Sequence, residues 1–266
     1  MIELRARPVI DQMFKNWKTK PNTKLIIITN SKDFASSVYV RNKKKMCEEH
    51  GIVCEIVDSS DMELGGVLRV INGALVSNSY ILLQKPLAPQ LKTFEPALDY
   101  KIAQCTSLDV DAFSGDLSND FQTPCTPLGI MKMLKYYNIG VDSMNAVVIG
   151  RSKIVGKPMA DLLLKNNATV TVCHSHTKDL SFYTKHADIV VSAVGKADFI
   201  KADMIKDGAI IIDVGINRNE AGKVQGDCKV NEEFLNKVSA YTPVPGGVGP
   251  MTVATLVWKM GLNKSL

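Results

Sequence analysis

Apolar positions along the chain fall into two alternating kinds of run. Lys24-Leu-Ile-Ile-Ile-Thr-Asn30 is continuous and β-branched, the pattern of a strand buried on both faces. Residues 33–50 follow with helical character and stop at Gly51, a residue suited to the position just past a helix end. Further strands are predicted over 53–57 and 80–84. From Pro86 to Gln122, prolines and turn formers predict an irregular stretch, and loops of that length in compact proteins tend to carry function. Thr126-Pro127 predicts a helix start, with Thr as the cap and Pro in the first helical position. Ile130, Met133, Leu134 and Tyr137 give that helix an apolar stripe, ending near Asn138-Ile-Gly140. Beyond it the alternation tightens: a strand over 146–149, a helix over 158–165, and strands over 169–173, 188–194 and 209–214, with short helical segments between. The pattern predicts an α/β fold with a parallel sheet covered by helices.

Two lobes are expected. Residues 1–130 form the first and 131–242 the second, and 243–266 carry a helix after Gly249 that returns to the first lobe. No internal repeat of fixed period is visible. Composition agrees with an ordinary globular protein: 266 residues, 45% hydrophobic and 22% charged. The net charge of +5 is spread out apart from Lys43-Lys44-Lys45, which reads as a solvated helix face rather than a nucleic-acid patch, so no nucleic-acid partner is expected. The six cysteines form no CxxC pair and have no histidine framework, so neither a disulfide scaffold nor a metal site is expected, and a reducing compartment fits them. No apolar run reaches the ~18 residues of a membrane span, and residues 1–8 lack the apolar core of a signal peptide. A cytoplasmic location and no membrane partner are the expectation.

Chemistry is suggested at three places. Tyr241-Thr-Pro-Val-Pro-Gly-Gly-Val-Gly-Pro-Met-Thr252 holds three prolines and three glycines, which fix a rigid loop. It feeds the apolar run Val253–Met260, and a Gly-rich turn before a helix offers free backbone N–H groups to a ligand. Strand 146–149 is followed by Gly150-Arg-Ser-Lys-Ile-Val-Gly156-Lys-Pro158, a glycine at the strand end and another before a helix, as a pyrophosphate-binding turn requires. The spacing is not GxGxxG, and turn geometry alone can ask for such glycines. The next strand ends Cys173-His174-Ser175-His176-Thr177, without the carboxylate that holds an NAD ribose, while Arg151 can meet a phosphate with a forked set of donors. This favours NADP over NAD. His174 and His176 read as polar loop residues rather than metal ligands, since no third ligand is near in sequence.

The third place is the helix over 33–50, where Tyr39 and Lys43, four apart, project from one face. Such a pair is common on surfaces, but this one follows a buried strand at the end where α/β proteins bind ligands. Tyr-x-x-x-Lys also occurs in short-chain dehydrogenases, where it follows the dinucleotide fingerprint. Here it precedes Gly150 by more than a hundred residues, which argues against that class.

Five ordered strings, Tyr39–Ile52, Gln84, Asp109–Phe113 with Pro124–Pro127, Gly150–Pro158 with Asp213–Asn217, and Tyr241–Thr252, resemble the methylenetetrahydrofolate dehydrogenase/cyclohydrolase family from about residue 24 to 260. The resemblance implies a folate-binding catalytic domain (1–130 plus 243–266) and a Rossmann-like NADP-binding domain (131–242). It implies oxidation of 5,10-methylenetetrahydrofolate with NADP and hydrolysis of the methenyl product to 10-formyltetrahydrofolate. By resemblance Lys43 is the catalytic lysine, Gln84 its partner, Asp111 the pterin-recognising carboxylate and Tyr39 a wall of the folate site. Ser36, Pro245, Gly246 and Gly249 are further substrate-side positions. Gly150, Arg151, Ser152, Gly156, Ser175 and Ile216 are cofactor positions, with Arg151 and Ser175 at the 2′-phosphate. A homodimer through the cofactor lobes is implied too.

The chain departs from the family pattern at Lys85-Pro86-Leu87-Ala88, where Lys85 adds a charge beside the site. It departs again at Ala112, which stands for a glycine and matters where φ is positive, and at Gly226-Asp-Cys-Lys-Val230. Three alternatives stay open on sequence alone: a dehydrogenase that has lost cyclohydrolase activity, a non-catalytic folate- or nucleotide-binding relative, and a shikimate-type NADP dehydrogenase.

Overall fold

The computed structural model describes residues 1–219 and 221–262. In chain order the elements begin with β1 (Ile2–Glu3), α1 (Ala6–Phe14), β2 (Lys24–Thr29), α2 (Phe34–Glu49), β3 (Val53–Asp58), α3 (Leu64–Val76) and β4 (Tyr80–Leu83). A 3-10 turn over Pro89–Phe94 precedes α4 (Glu95–Ala103), α5 (Cys125–Tyr136), β5 (Asn145–Ile149), α6 (Gly156–Lys165), β6 (Thr169–Cys173), α7 (Leu180–Thr184) and β7 (Ile189–Ser192). The chain continues through β8 (Ile210–Asp213), β9 (Asn217–Arg218), β10 (Val224–Gln225), α8 (Glu232–Lys237), β11 (Ala240–Tyr241) and α9 (Val248–Met260). These elements form two compact units. Among the described residues no helix is long and apolar enough to cross a membrane.

One unit comprises Met13–Cys125 and the chain from Val253. Its parallel sheet runs β3-β2-β4, with Ile27 opposite both Ile56 and Leu82. Side chains alternate faces along a strand, so the unbroken apolar run of β2 needs cover on both sides. Leu25, Ile27 and Leu82 pack with Cys47 of α2 and with Leu256, Val257 and Met260 of α9. Ile26, Ile28, Ile81 and Leu83 pack with Val67 and Ile71 of α3 and with Leu91, Leu98 and Ile102. The stretch 86–122 is therefore less irregular than its prolines predict. Pro89 and Pro96 sit in first turns, where a missing N–H costs nothing, and the apolar residues behind them complete the second face.

The other unit comprises Met1–Gln12 and Thr126–Thr252. Its sheet has the order β1-β11-β8-β7-β5-β6, all parallel. The boundaries differ from the expected 130/131 and 242/243. The first residues join this unit because β1 pairs with β11, Ile2 opposite Ala240, and Ala6 N–H donates to the Gly246 carbonyl at 2.9 Å. Strand β5 lies between β6 and β7, so the chain leaves it to one side and then returns to the other. In open α/β sheets that reversal opens a ligand crevice at the C-terminal strand ends.

Candidate active site

The Asp33 side chain caps α2 by accepting from Ser36 N–H at 2.7 Å, and Gly51, at φ +72°, ends the segment in the left-handed region. Between these ends the helix presents Ser36, Tyr39 and Lys43 at spacings of three and four. Ser36 is buried and its hydroxyl donates to the Lys85 carbonyl at 3.0 Å. Lys43 is only 7% exposed, and its Nζ donates to Gln84 Oε1 at 2.8 Å. Gln84 stands one residue past β4. Its backbone N–H reaches Ile28 O at 2.9 Å and its Nε2 reaches Lys85 O at 3.0 Å, so both ends of the amide are committed. Among the described residues no carboxylate pairs with Lys43. An amine so placed has an acceptor but no neutralising anion.

The charge of Lys85 is answered on α4. Its Nζ lies 2.8 Å from Glu95 Oε1 and 2.6 Å from Asp99 Oδ2, over the Phe113 ring at 5.1 Å. Burial opposes the ammonium, but the bonds to Asp99 and Glu95 outweigh it and raise its pKa. A side chain held this way is spent on packing.

Asp111 lies half-buried in a tight turn built by Asp109. The Asp109 carboxylate, 2% exposed, accepts from Ala112 N–H at 2.9 Å and from Phe113 N–H at 2.6 Å. Burial, then the charge of Asp111, pushes its pKa up to about 6. Ala112 does adopt positive φ, +57°, so a Cβ is carried where glycine is favoured. Sequence reasoning missed Lys259, which is fully buried on α9. Its Nζ donates to Val110 O at 2.7 Å and Thr123 O at 2.9 Å and sits over the Phe121 ring at 5.3 Å. The signal was a lone cation in the apolar run Val253–Met260. Fully buried itself, it must find carbonyls inside.

In the other unit the turn after β5 is shaped by two glycines. Gly150 has φ +119°, and a Cβ there would stand 2.6 Å from Ala193 O. A Cβ at Gly156 would stand 2.2 Å from Gly150 O, so the chain folds onto itself and delivers α6 two residues earlier than the sequence predicts. Helix α5 likewise starts two residues early, and Thr126, expected as its cap, instead shares a hydroxyl bond of 2.9 Å with Thr252. The Ser152 hydroxyl accepts from Gly156 N–H at 3.3 Å. Ile149 and Cys173 are register partners, so Arg151 and Ser175, each two residues further on and both exposed, lie at the same end of neighbouring strands. Ile216 is exposed, and a Cβ on Gly249 would meet its Cδ1 at 3.8 Å. Pro245 follows a cis peptide bond and Gly246 has φ +109°. Among the described residues no group of three or more His, Cys, Asp and Glu could hold a metal ion.

The arrangement defines a class: an α/β protein with a glycine-shaped turn at a sheet switch point in one unit and a buried lysine held by a glutamine in the other. Residues 124–263 match the family described as tetrahydrofolate dehydrogenase/cyclohydrolase, NAD(P)-binding domain. The bifunctional protein FolD of Agathobacter rectalis is 46% identical over 245 residues, covering 88% of this chain and 85% of that protein. The crystal structure of the FolD methylenetetrahydrofolate dehydrogenase/cyclohydrolase from Campylobacter jejuni superposes with a TM-score of 0.85 at 38% identity, over 97% of this chain and 95% of that one. The Trypanosoma brucei methylenetetrahydrofolate dehydrogenase-cyclohydrolase, complexed with NADP and an inhibitor, gives 0.83 at 29% identity, over 98% and 95%. The chain belongs to the tetrahydrofolate dehydrogenase/cyclohydrolase family.

Proposed function

We propose that this chain oxidises 5,10-methylenetetrahydrofolate with NADP and hydrolyses the methenyl product to 10-formyltetrahydrofolate. The observation that carries the reading is the buried Lys43 amine on Gln84 Oε1 at 2.8 Å, in a chain of this family. Hydrolysis needs water activated near neutral pH, and a positioned amine can take its proton. Gln84, an amide, orients Lys43 without neutralising it. Asp111 is the carboxylate for the pterin's amino and ring N–H groups, and Tyr39 and Ser36 line the folate side. Folate binding is thus assigned to 13–125 and cofactor binding to 126–252.

The turn fits a dinucleotide because its glycines bring backbone close where a Cβ would fill the space. Gly150, Ser152 and Gly156 would hold the pyrophosphate, Arg151 and Ser175 the 2′-phosphate, and Ile216 an apolar face. Bound NADP supplies the hydride acceptor. Holding the donor carbon in place is what the chain's residues contribute to that step.

The deciding experiment supplies methylenetetrahydrofolate and NADP, with NADPH and methenyl absorbance followed together. NADPH rising while methenyl stays low is expected. In Lys43→Met the methenyl compound should accumulate, with hydrolysis down ~10²–10⁴-fold, the range for loss of a general base. Wild-type hydrolysis in that variant would overturn the assignment.

A homodimer through the cofactor unit is part of the proposal. It is supported by exposed Leu164, Val172, Phe182 and Tyr183 on and around β6, an edge strand. Light scattering that finds a monomer at micromolar concentration would reject it. The six free thiols support a cytoplasmic setting.

A further inference from the structure

Asp227 is 0% exposed, yet five donors converge on its carboxylate. Oδ2 accepts from the Ser192 hydroxyl at 3.0 Å, Val194 N–H at 2.9 Å and Gly195 N–H at 3.3 Å. Oδ1 accepts from Lys196 N–H at 2.9 Å and Asn217 Nδ2 at 3.1 Å. Three consecutive amides of the loop after β7 are thus bound to one side chain. Asp227 is itself anchored. Its N–H and that of Cys228 donate to Asp213, at the end of β8, at 2.9 and 2.8 Å. Gly215 and Gly226 clear the way, since a Cβ on either would stand 2.1 Å from Asp227 Oδ1 or 2.0 Å from Asp213 Oδ2.

The loop held in this way borders the dinucleotide turn. Ala193 O, just before the three amides, is the atom a Cβ on Gly150 would strike at 2.6 Å. Strands β5 and β7 are hydrogen-bonded neighbours, so the two loops share the crevice at the switch point. Consecutive free amides in a turn make an anion nest. Here those of 194–196 already have their anion, an internal one, which leaves the phosphates to the 150–156 turn. We propose that Asp227 is a positioning residue for the NADP site. It fixes the loop after β7 as a rigid, phosphate-refusing wall and so sets cofactor affinity and orientation without touching the cofactor. The inference rests on the functional reading above.

The test is Asp227→Asn, which keeps the shape but turns amide hydrogens toward backbone donors. The dissociation constant for NADP is read by fluorescence titration, KM and kcat by NADPH formation, and hydrolysis of methenyltetrahydrofolate without cofactor in parallel. NADP binding should weaken at least ~10-fold, with the KM effect exceeding the loss in hydrolysis by a similar factor. Should that variant fold poorly, Ser192→Ala and Asn217→Ala each remove one side-chain donor and leave the backbone donors. Both should weaken NADP binding by ~2–5-fold. NADP affinity unchanged in all the folded variants would overturn the inference, as would hydrolysis falling in step with it. A wild-type protein that fails to reduce NADP would instead count against the functional reading, and that assay is scored first.

Discussion

Lys259→Met removes an ammonium and keeps most of the side chain's volume. The wild-type Nζ bonds Val110 O at 2.7 Å and Thr123 O at 2.9 Å, and both residues are buried. Neither carbonyl gains a new donor from methionine. Val110 O keeps the Cys125 thiol as a donor at 3.1 Å, so Thr123 O is the buried acceptor left unsatisfied, at ~1–3 kcal/mol. With relief from burying an ammonium set against the weakened bond at Val110 O, the expected loss is about 1–2 kcal/mol. Urea unfolding followed by tryptophan fluorescence isolates the effect. The chain has two tryptophans, Trp17 and Trp258, and both belong to the unit that carries Lys259. They are joined by a bond from Trp17 Nε1 to Trp258 O of 2.8 Å. With a slope of ~1–3 kcal/mol per molar, the midpoint should drop by about 0.5–1 M. A midpoint within ~0.3 M of wild type would refute the argument. A second signature is independent of stability. The charge of Lys259 helps hold the Asp109 carboxyl down, so the variant should move its titration above about 6.

Three further outcomes follow from the geometry. Gly156→Ala sets a Cβ against backbone at 2.2 and 2.8 Å, which cannot swing aside; NADP binding should weaken at least ~10-fold while cofactor-free hydrolysis continues, and an equal loss of both would count against two separable sites. Asp109, raised from the usual 3.8 to about 6 by burial and by Asp111, favours the folded state at low pH. Its contribution, on the order of 3 kcal/mol, is fully present below about 4 and lost as pH rises through about 6; a carboxyl carbon NMR midpoint below 4.5 would contradict this. Among the six cysteines Cys54 alone has its pKa lowered, by the thiol of Cys47 and then by the charge of Lys44 against the opposing effect of burial. Limiting iodoacetamide at pH 8 should therefore label Cys54 first, and mass spectrometry showing another thiol ahead of it would refute the ranking.

Much of the fold was legible because two-sided burial leaves an unmistakable mark. Strand β2 has no polar face to interrupt its run, and Gly51 and Gly150 stand where the backbone takes positive φ. Helix α4 was hidden by Pro89 and Pro96, which look like breakers until they are seen in first turns. Strands β1 and β11, of two residues each, are too short for any periodicity to register. In the site, Lys43 and Gln84 were legible as strings and are brought together across 41 positions by β2 and β4 pairing under α2. Lys85 was legible as a charge beside the site, but its partners, Glu95 and Asp99, were not, because they lie on the helix the prolines concealed. Asp227 gave no signal of its own. Its importance lies in five donors from two distant segments, 192–196 and Asn217, which no local window around it contains.

The chain order of the two units has a consequence for how the protein is made. The sheet β3-β2-β4 is translated early, but Leu256, Val257 and Met260, which close one of its faces, leave the ribosome only after the whole of 126–252. Strand β1 waits in the same way for β11. Each unit therefore keeps an unfinished seam while most of 126–252 is being made, and an apolar face of β2 stays available to chaperones until α9 arrives. A nascent chain stalled near residue 245 should carry two incomplete cores, and release of α9 should be the event that commits the unit carrying Lys43 to its native state.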